Sequence, residues 1–166
     1  MRILLDVMGG DLPPRELIQG GIAASRNQSI DVAFAGDPFI IEAALTDAGE
    51  RLGERFSVVP STEVVTMDDP PVRAVREKKH SSLVLGLDAL RRRAVDGFVS
   101  PGNTGAVVVG SIFTLGRIAA IPRPGLLAVL PTLHGPDVLV IDVGANTDCS
   151  PDHFEAFALM GATYAR

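Results

Sequence analysis

Tryptophan is absent from the 166-residue sequence, tyrosine occurs once, and aromatic residues make up only 5% of it. Platforms that stack nucleobases are built from such rings, so the deficit argues against a single-strand nucleic-acid binder. Basic residues are also a minority: 15 Lys and Arg against 20 Asp and Glu leave a formal charge of −5. Binding to a phosphate backbone draws on the opposite balance, and nucleic acid is not an expected partner. A single cysteine, Cys149, permits neither an intramolecular disulfide nor a thiolate cluster. His80, His134 and His153 share no metal-ligand spacing, so no metal and no cofactor are expected. No apolar run approaches the roughly 20 residues of a membrane-crossing helix. Met1-Arg2 leads straight into ILLDVMGGD rather than into a secretory leader, and the expected location is cytoplasmic. Two nucleotide signatures are missing as well: no P-loop lysine and no G-x-G-x-x-G.

What remains is a globular composition, 46% hydrophobic and 21% charged, punctuated by 17 Gly and 12 Pro between periodic segments. Apolar runs at 2–7, 31–36, 56–60, 96–100, 126–131 and 137–144 read as strands. Helical segments separate several of them. Asp37-Pro38 caps and opens a helix through Ala48, which Gly49 closes. Ser150-Pro151-Asp152 starts another. Residues 81–95 place Leu83, Leu87, Leu90 and Ala94 on one helical stripe, with Arg91, Arg92 and Arg93 toward the negative helix end. Strands alternating with helices predict an α/β fold: a mostly parallel sheet with helices on both faces. The expected organisation is a single α/β unit over 1–166.

Ligands of such sheets bind beyond the carboxyl ends of the strands. Three loops leave strand ends with glycine beside a carboxylate, amide or hydroxyl: DVMGGD (6–11), SPGNTGA (100–106) and DVGANTD (142–148). Glycine lets a ligand approach backbone amides closely, and a helix N-terminus aims free N–H groups at an anion. Asn103 and Thr104 can donate to such a ligand, or either can simply cap the helix from Ala106 to Leu115. Asp6 and Asp142 read as loop braces, whereas Asp11 and Asp148 are open to a ligand role. Cys149 reads as a small packed residue, and the histidines carry no assigned role. In TMDDPPVRAVREKKHSS (66–82), Asp68 or Asp69 can cap a helix that Pro70-Pro71 opens. Its Arg73, Arg76, Lys78 and Lys79 form either a solvated face or a dock for an acidic or phosphate-bearing partner.

The stretches LDVMGGD, EVVTMDDPPVRAVREKKHSS, DGFVSPGNTGA, GRIAAIPRPGLLAVLPT and DVGANTDCSPDHFEAFALMGATYA span most of the sequence. In that combination and order they resemble the bacterial phosphate acyltransferases of phospholipid synthesis (the PlsX family). The resemblance implies transfer of a fatty acyl group from acyl carrier protein to inorganic phosphate, giving acyl phosphate. It implies the fold of isocitrate and isopropylmalate dehydrogenases and of phosphotransacetylase. A homodimer at the cytoplasmic membrane face is implied too. On this reading Asn103, Thr104, Ser100 and the amides around Gly102 and Gly105 serve phosphate or the oxyanion. Gly9, Gly10 and Asp11, with Gly144, Asn146 and Asp148, wall the same cleft. Arg73, Lys78 and Lys79 meet phosphate or the acidic carrier protein. Three positions depart from the family pattern: Pro101 for a small residue, His80 for Asp, and Ser150 for Lys or Arg.

Family members are about twice as long, so the sequence corresponds to their N-terminal half. The 166 residues alone are expected to lack full activity and to leave apolar surface exposed. Two alternatives stand beside this reading. One is a phosphotransacetylase-like enzyme using acyl-CoA; the other is a non-catalytic module that binds carrier protein.

Overall fold

DVAFAG alternates bulky and small apolar side chains, which suits a strand buried on both faces. The computed structural model describes residues 1–119, 121–146 and 148–166. In it this run is one of four parallel strands: β1 (Arg2–Asp6), β2 (Asp31–Gly36), β3 (Phe56–Pro60) and β4 (Gly97–Val99). They stand in the order β3-β2-β1-β4. Val32 and Phe34 face α1 (Pro14–Gln28) and α2 (Pro38–Asp47), packing with Ile18, Ile22, Ile41 and Leu45. Ala33 and Ala35 face the other way, toward Ala89 of α4 (Ser82–Arg91). Gly86 lets α4 come close: a Cβ there would stand 2.3 Å from the Phe98 ring. Next to α4 lie α3 (Pro71–Glu77) and α5 (Thr104–Leu115), joined to it through Val75, Leu83, Leu87 and Ala106. The predicted parallel sheet with helices on both faces is present in these residues.

Residues group into two compact units, Met1–Leu115 and Gly116–Arg166. The second holds β5 (Leu127–Leu130), β6 (Val138–Ile141) and α6 (Pro151–Tyr164). Here the expected continuation of a parallel series does not occur. β5 and β6 pair antiparallel as a sheet of their own, with Leu127 opposite Ile141. Seven residues lie between them, too few for a parallel crossover, which needs a dozen or more. Ala156 and Phe157 form the buried stripe of α6, which packs on β6. No described helix is long and apolar enough to cross a membrane.

One helix closes where its sequence signal puts the end, and another closes early. α2 closes as expected: Gly49 takes φ 73°, and the N–H groups of Gly49 and Glu50 donate to the Thr46 and Leu45 carbonyls. α4 closes by the same motif four residues before the predicted end. Arg93 adopts φ 58° and donates to the Leu90 carbonyl, while Ala94 donates to that of Ala89. Ala94, expected on the buried stripe, is therefore exposed, and Val95 is buried in its place.

Candidate anion site at the strand switch point

The chain runs outward from β1 to β3 and then returns past β1 to lay down β4. The crevice between β1 and β4 is thus the topological switch point, where open α/β sheets bind ligands. Two of the predicted glycine loops leave the sheet at that place. They are locked together through Asp6, a fully buried carboxylate at the end of β1. One of its oxygens accepts from the amides of Met8 and Gly9, at 3.0 and 3.1 Å. The other accepts from the Ser100 hydroxyl at 2.8 Å, and Ser100 Oγ in turn accepts from the Gly102 amide. Asp6 is the loop brace that its strand-end position predicts.

Glycine is required where the loops touch. A Cβ on Gly102 would lie 2.9 Å from the Gly9 carbonyl oxygen, and one on Gly9 would lie 2.7 Å from Asp6 Oδ2. Backbone cannot swing aside as a side chain can, so Gly102→Ala should cost about 2 kcal/mol in urea unfolding of the chain. Pro101 finds its explanation beside them: its ring covers Gly10, where a Cβ would meet Pro101 Cγ at 2.8 Å. The proline ring fills space which the second glycine of MGGD leaves. Asp11 is exposed at the rim.

The loop after β4 runs directly into α5, and here the structure revises one assignment. Asn103 is 7% exposed, and its amide is already engaged. Oδ1 accepts from the Ala106 amide at 3.0 Å, capping the helix. Nδ2 lies 3.1, 3.2 and 3.0 Å from the carbonyl oxygens of Thr66, Met67 and Asp69. Two amide hydrogens facing three carbonyls leave none for an anion. Asn103, expected to donate to phosphate or the oxyanion, is instead an anchor that ties α5 to the segment before α3. Thr104 is exposed as the first residue of the helix. Among the described residues its hydroxyl and the amides of Thr104 and Gly105 donate to no protein group. These are the donors that the site presents. Gly105 sits tightly on Pro71, with 2.7 Å from a would-be Cβ to Pro71 Cγ.

The basic residues of 71–79 are mostly committed to the fold. Lys78 Nζ donates to the Val64 carbonyl and pairs with Asp69, and Lys79 Nζ donates to the Val75 carbonyl. Arg73 is exposed and pairs with Glu77 at 2.9 Å, and Arg76 lies over the Phe113 ring. Neither Asp68 nor Asp69 caps α3. Pro70 holds that position without a side-chain bond, and Asp69 turns back to accept from the Thr66 amide at 2.8 Å. Hydrogen bonds from Lys78 first, and then from Thr66, hold the Asp69 carboxyl below its ordinary range. A carboxyl lowered by folding stabilises the native state above its unfolded pKa, and the contribution fades as pH falls through the folded value. The stability difference between the chain and Asp69→Asn should therefore be constant from pH 6 to 8. It should shrink below about pH 4, followed by thermal unfolding.

The third loop belongs to the second unit. Asp142 sits at φ 65° and Gly144 at φ 117°. Asp142 Oδ1 accepts from the Ala145 amide, again a brace. Asn146 donates to the Pro124 carbonyl and stands 3.5 Å from an Arg123 nitrogen. Asp148 is exposed and, with Arg123, Cys149, Ser150 and His153, lines a hollow of about 560 Å³. Arg123 carries the cation of this hollow, and lying in a proline-rich stretch it gave no motif signal. Burial, followed by the Asp142 charge, pushes the Cys149 thiol up, so it is not an activated nucleophile. His153 Nδ1 accepts from the Ser150 amide at 3.1 Å and serves the start of α6.

The sequence matches the family described as "Fatty acid synthesis protein" over residues 1–166. A protein named phosphate acyltransferase from Thermoanaerobacter pseudethanolicus is 42% identical over 167 aligned positions, which cover 100% of this chain and 48% of that one. One of the same name from Geobacillus sp. is 43% identical, covering 99% and 49%. The chain thus spans about half the length of the curated relatives it matches. In three dimensions it resembles a phosphotransacetylase from Streptococcus pyogenes, with TM-score 0.70 at 15% identity, over 96% of this chain and 51% of that one. Along its full length, the chain belongs to the fatty acid synthesis protein family.

Proposed function

We propose that the chain carries the phosphate-binding half of an enzyme that transfers a fatty acyl group from acyl carrier protein to inorganic phosphate, yielding acyl phosphate for phospholipid synthesis. The observation that carries this reading is the pairing of two glycine loops at the β1–β4 switch point with the free N-terminus of α5. Phosphate seated on the Thr104 hydroxyl and the Thr104 and Gly105 amides meets neutral hydrogen-bond donors at a helix N-terminus. A thioester is already activated. A phosphate oxygen attacks its carbonyl carbon, the C–S bond breaks, and the thiolate departs with the carrier. The protein orients the two reactants and stabilises the oxyanion, with no need of a nucleophilic side chain. The raised Cys149 thiol accords with that.

Several finer parts of this reading rest on the resemblance. They are the isocitrate dehydrogenase-like fold, the action of the two units as a single α/β unit, carrier protein as donor, a homodimer, and a cytoplasmic site at the membrane face. The loop at Gly144, Asn146 and Asp148 is assigned to the same cleft because it repeats the chemistry of the first two. Arg73 retains a role toward the acidic carrier, since it alone of the three assigned cations is held only by an exposed pair, which contributes little.

The test joins this chain to the second half of the Geobacillus relative and traps acyl phosphate with hydroxylamine. Phosphate-dependent hydroxamate from a long-chain carrier-protein thioester is expected from the fusion, and little from the 166 residues alone. Product from acetyl-CoA only would make it a small-acyl phosphotransacetylase. Carrier-protein binding without product would make it a docking module.

A further inference from the structure

Parallel sheets are covered on both faces, because side chains on each side of their strands are apolar. In the 1–115 unit α4 spans all four strands on one face. On the other, α1 and α2 lie over β2 and β3, and the strip over β1 and β4 is open. Ile3 and Leu5 of β1 and Val99 of β4 form its floor, and Val99 is 52% exposed. Its side wall is the edge of α1 that carries Gly20, Gly21 and Ala24, residues small enough to admit a close neighbour. The groove measures about 580 Å³ and is open to solvent. A fatty acyl chain would be enclosed by its site far more fully than that.

We propose that this groove seats an apolar helix from the polypeptide that makes up the second half of the curated relatives. Three observations favour that occupant over a second copy or a lipid. The uncovered strip over β1 and β4 lies where a parallel sheet requires a covering element. Relatives named phosphate acyltransferase have about half their length outside the matched residues. The solved phosphotransacetylase also has about half its length beyond the shared fold. The α6 helix lays its buried stripe against β6 within its own unit.

Gly20 supplies the test, because it is exposed and a Cβ there meets nothing within 4 Å. In the 166-residue chain, Gly20→Arg should leave the melting temperature unchanged or raise it, since arginine suits a helix interior better than glycine. In the fusion with the Geobacillus second half, the same substitution should lower it by about 5 °C or more. Gly53→Arg, at a site equally open, should act alike in both proteins. The fusion should also melt in one transition above that of the chain alone. Equal effects of Gly20→Arg in both proteins would overturn the proposal, as would independent melting of the two halves. A dimer of the 166-residue chain that Gly20→Arg abolishes would assign the groove to a second copy. Palmitate that raises the melting temperature of the chain, but not of Gly20→Arg, would assign it to a lipid.

Discussion

Asn103→Ala is expected to lower the unfolding free energy of the chain by about 3 kcal/mol, one helix cap plus three part-buried carbonyls left without their donor. The Ala106 amide would lose its acceptor, and the carbonyls of Thr66, Met67 and Asp69 would lose the Nδ2 donor they share. Asn103→Asp separates the two parts. It keeps an oxygen for the cap but turns a carboxylate toward three carbonyl oxygens, so most of the loss should persist. Urea unfolding followed by circular dichroism reads both variants. A loss below about 0.5 kcal/mol for Asn103→Ala, the range of ordinary surface changes, would mean that the side chain is free to serve a ligand after all.

Asp6→Ala is expected to be as severe, at about 3 kcal/mol, because the Met8 amide, the Gly9 amide and the Ser100 hydroxyl would be left without their acceptor. Its effect should also reach the site. The Asp6–Ser100 bond ties the two glycine loops together through their side chains, so removal of Asp6 lets the 6–11 and 100–103 segments part. Amide hydrogen exchange at Gly9 and Gly102 should accelerate well beyond that at Leu4, which lies in the sheet core. Unchanged exchange at both glycines would show that backbone packing alone holds the loops. Asp6→Asn tests the charge: it keeps one acceptor oxygen and should recover part of the loss.

Much of this architecture is legible locally. DVAFAG and FSVVP match β2 and β3 residue for residue, because continuous apolar runs of that length have few other uses. Gly49 announced the end of α2 because glycine takes positive φ without strain. Arg93 closes α4 through the same geometry and announced nothing, since arginine is not selected for that conformation. The antiparallel β5–β6 pair was hidden for another reason: apolar runs reveal strands but not their partners.

At the site, residue types were readable and their bonds were not. The glycines of 6–11 and 100–106 marked close approach, yet their spacing says nothing of the Gly9–Gly102 contact across 93 residues. The partners of Asn103 lie 34 to 37 residues upstream, in a segment that reads as the start of a basic helix. An amide beside a helix start is ambiguous between cap and ligand donor until those carbonyls are placed. Lys78 and Lys79 were equally ambiguous, and both turn out to brace backbone.

The proposed function seats an anion at the N-terminus of α5, on the Thr104 and Gly105 amides beside the MGGD loop. Titration of the 15N-labelled chain with inorganic phosphate tests it most directly. Saturable shifts should appear at Gly102, Thr104 and Gly105, with smaller ones at Gly9 and Gly10, and none at Gly49 or Gly53. Shifts confined to Arg73, Lys78 and Lys79, or no saturable shift at the α5 amides, would contradict it.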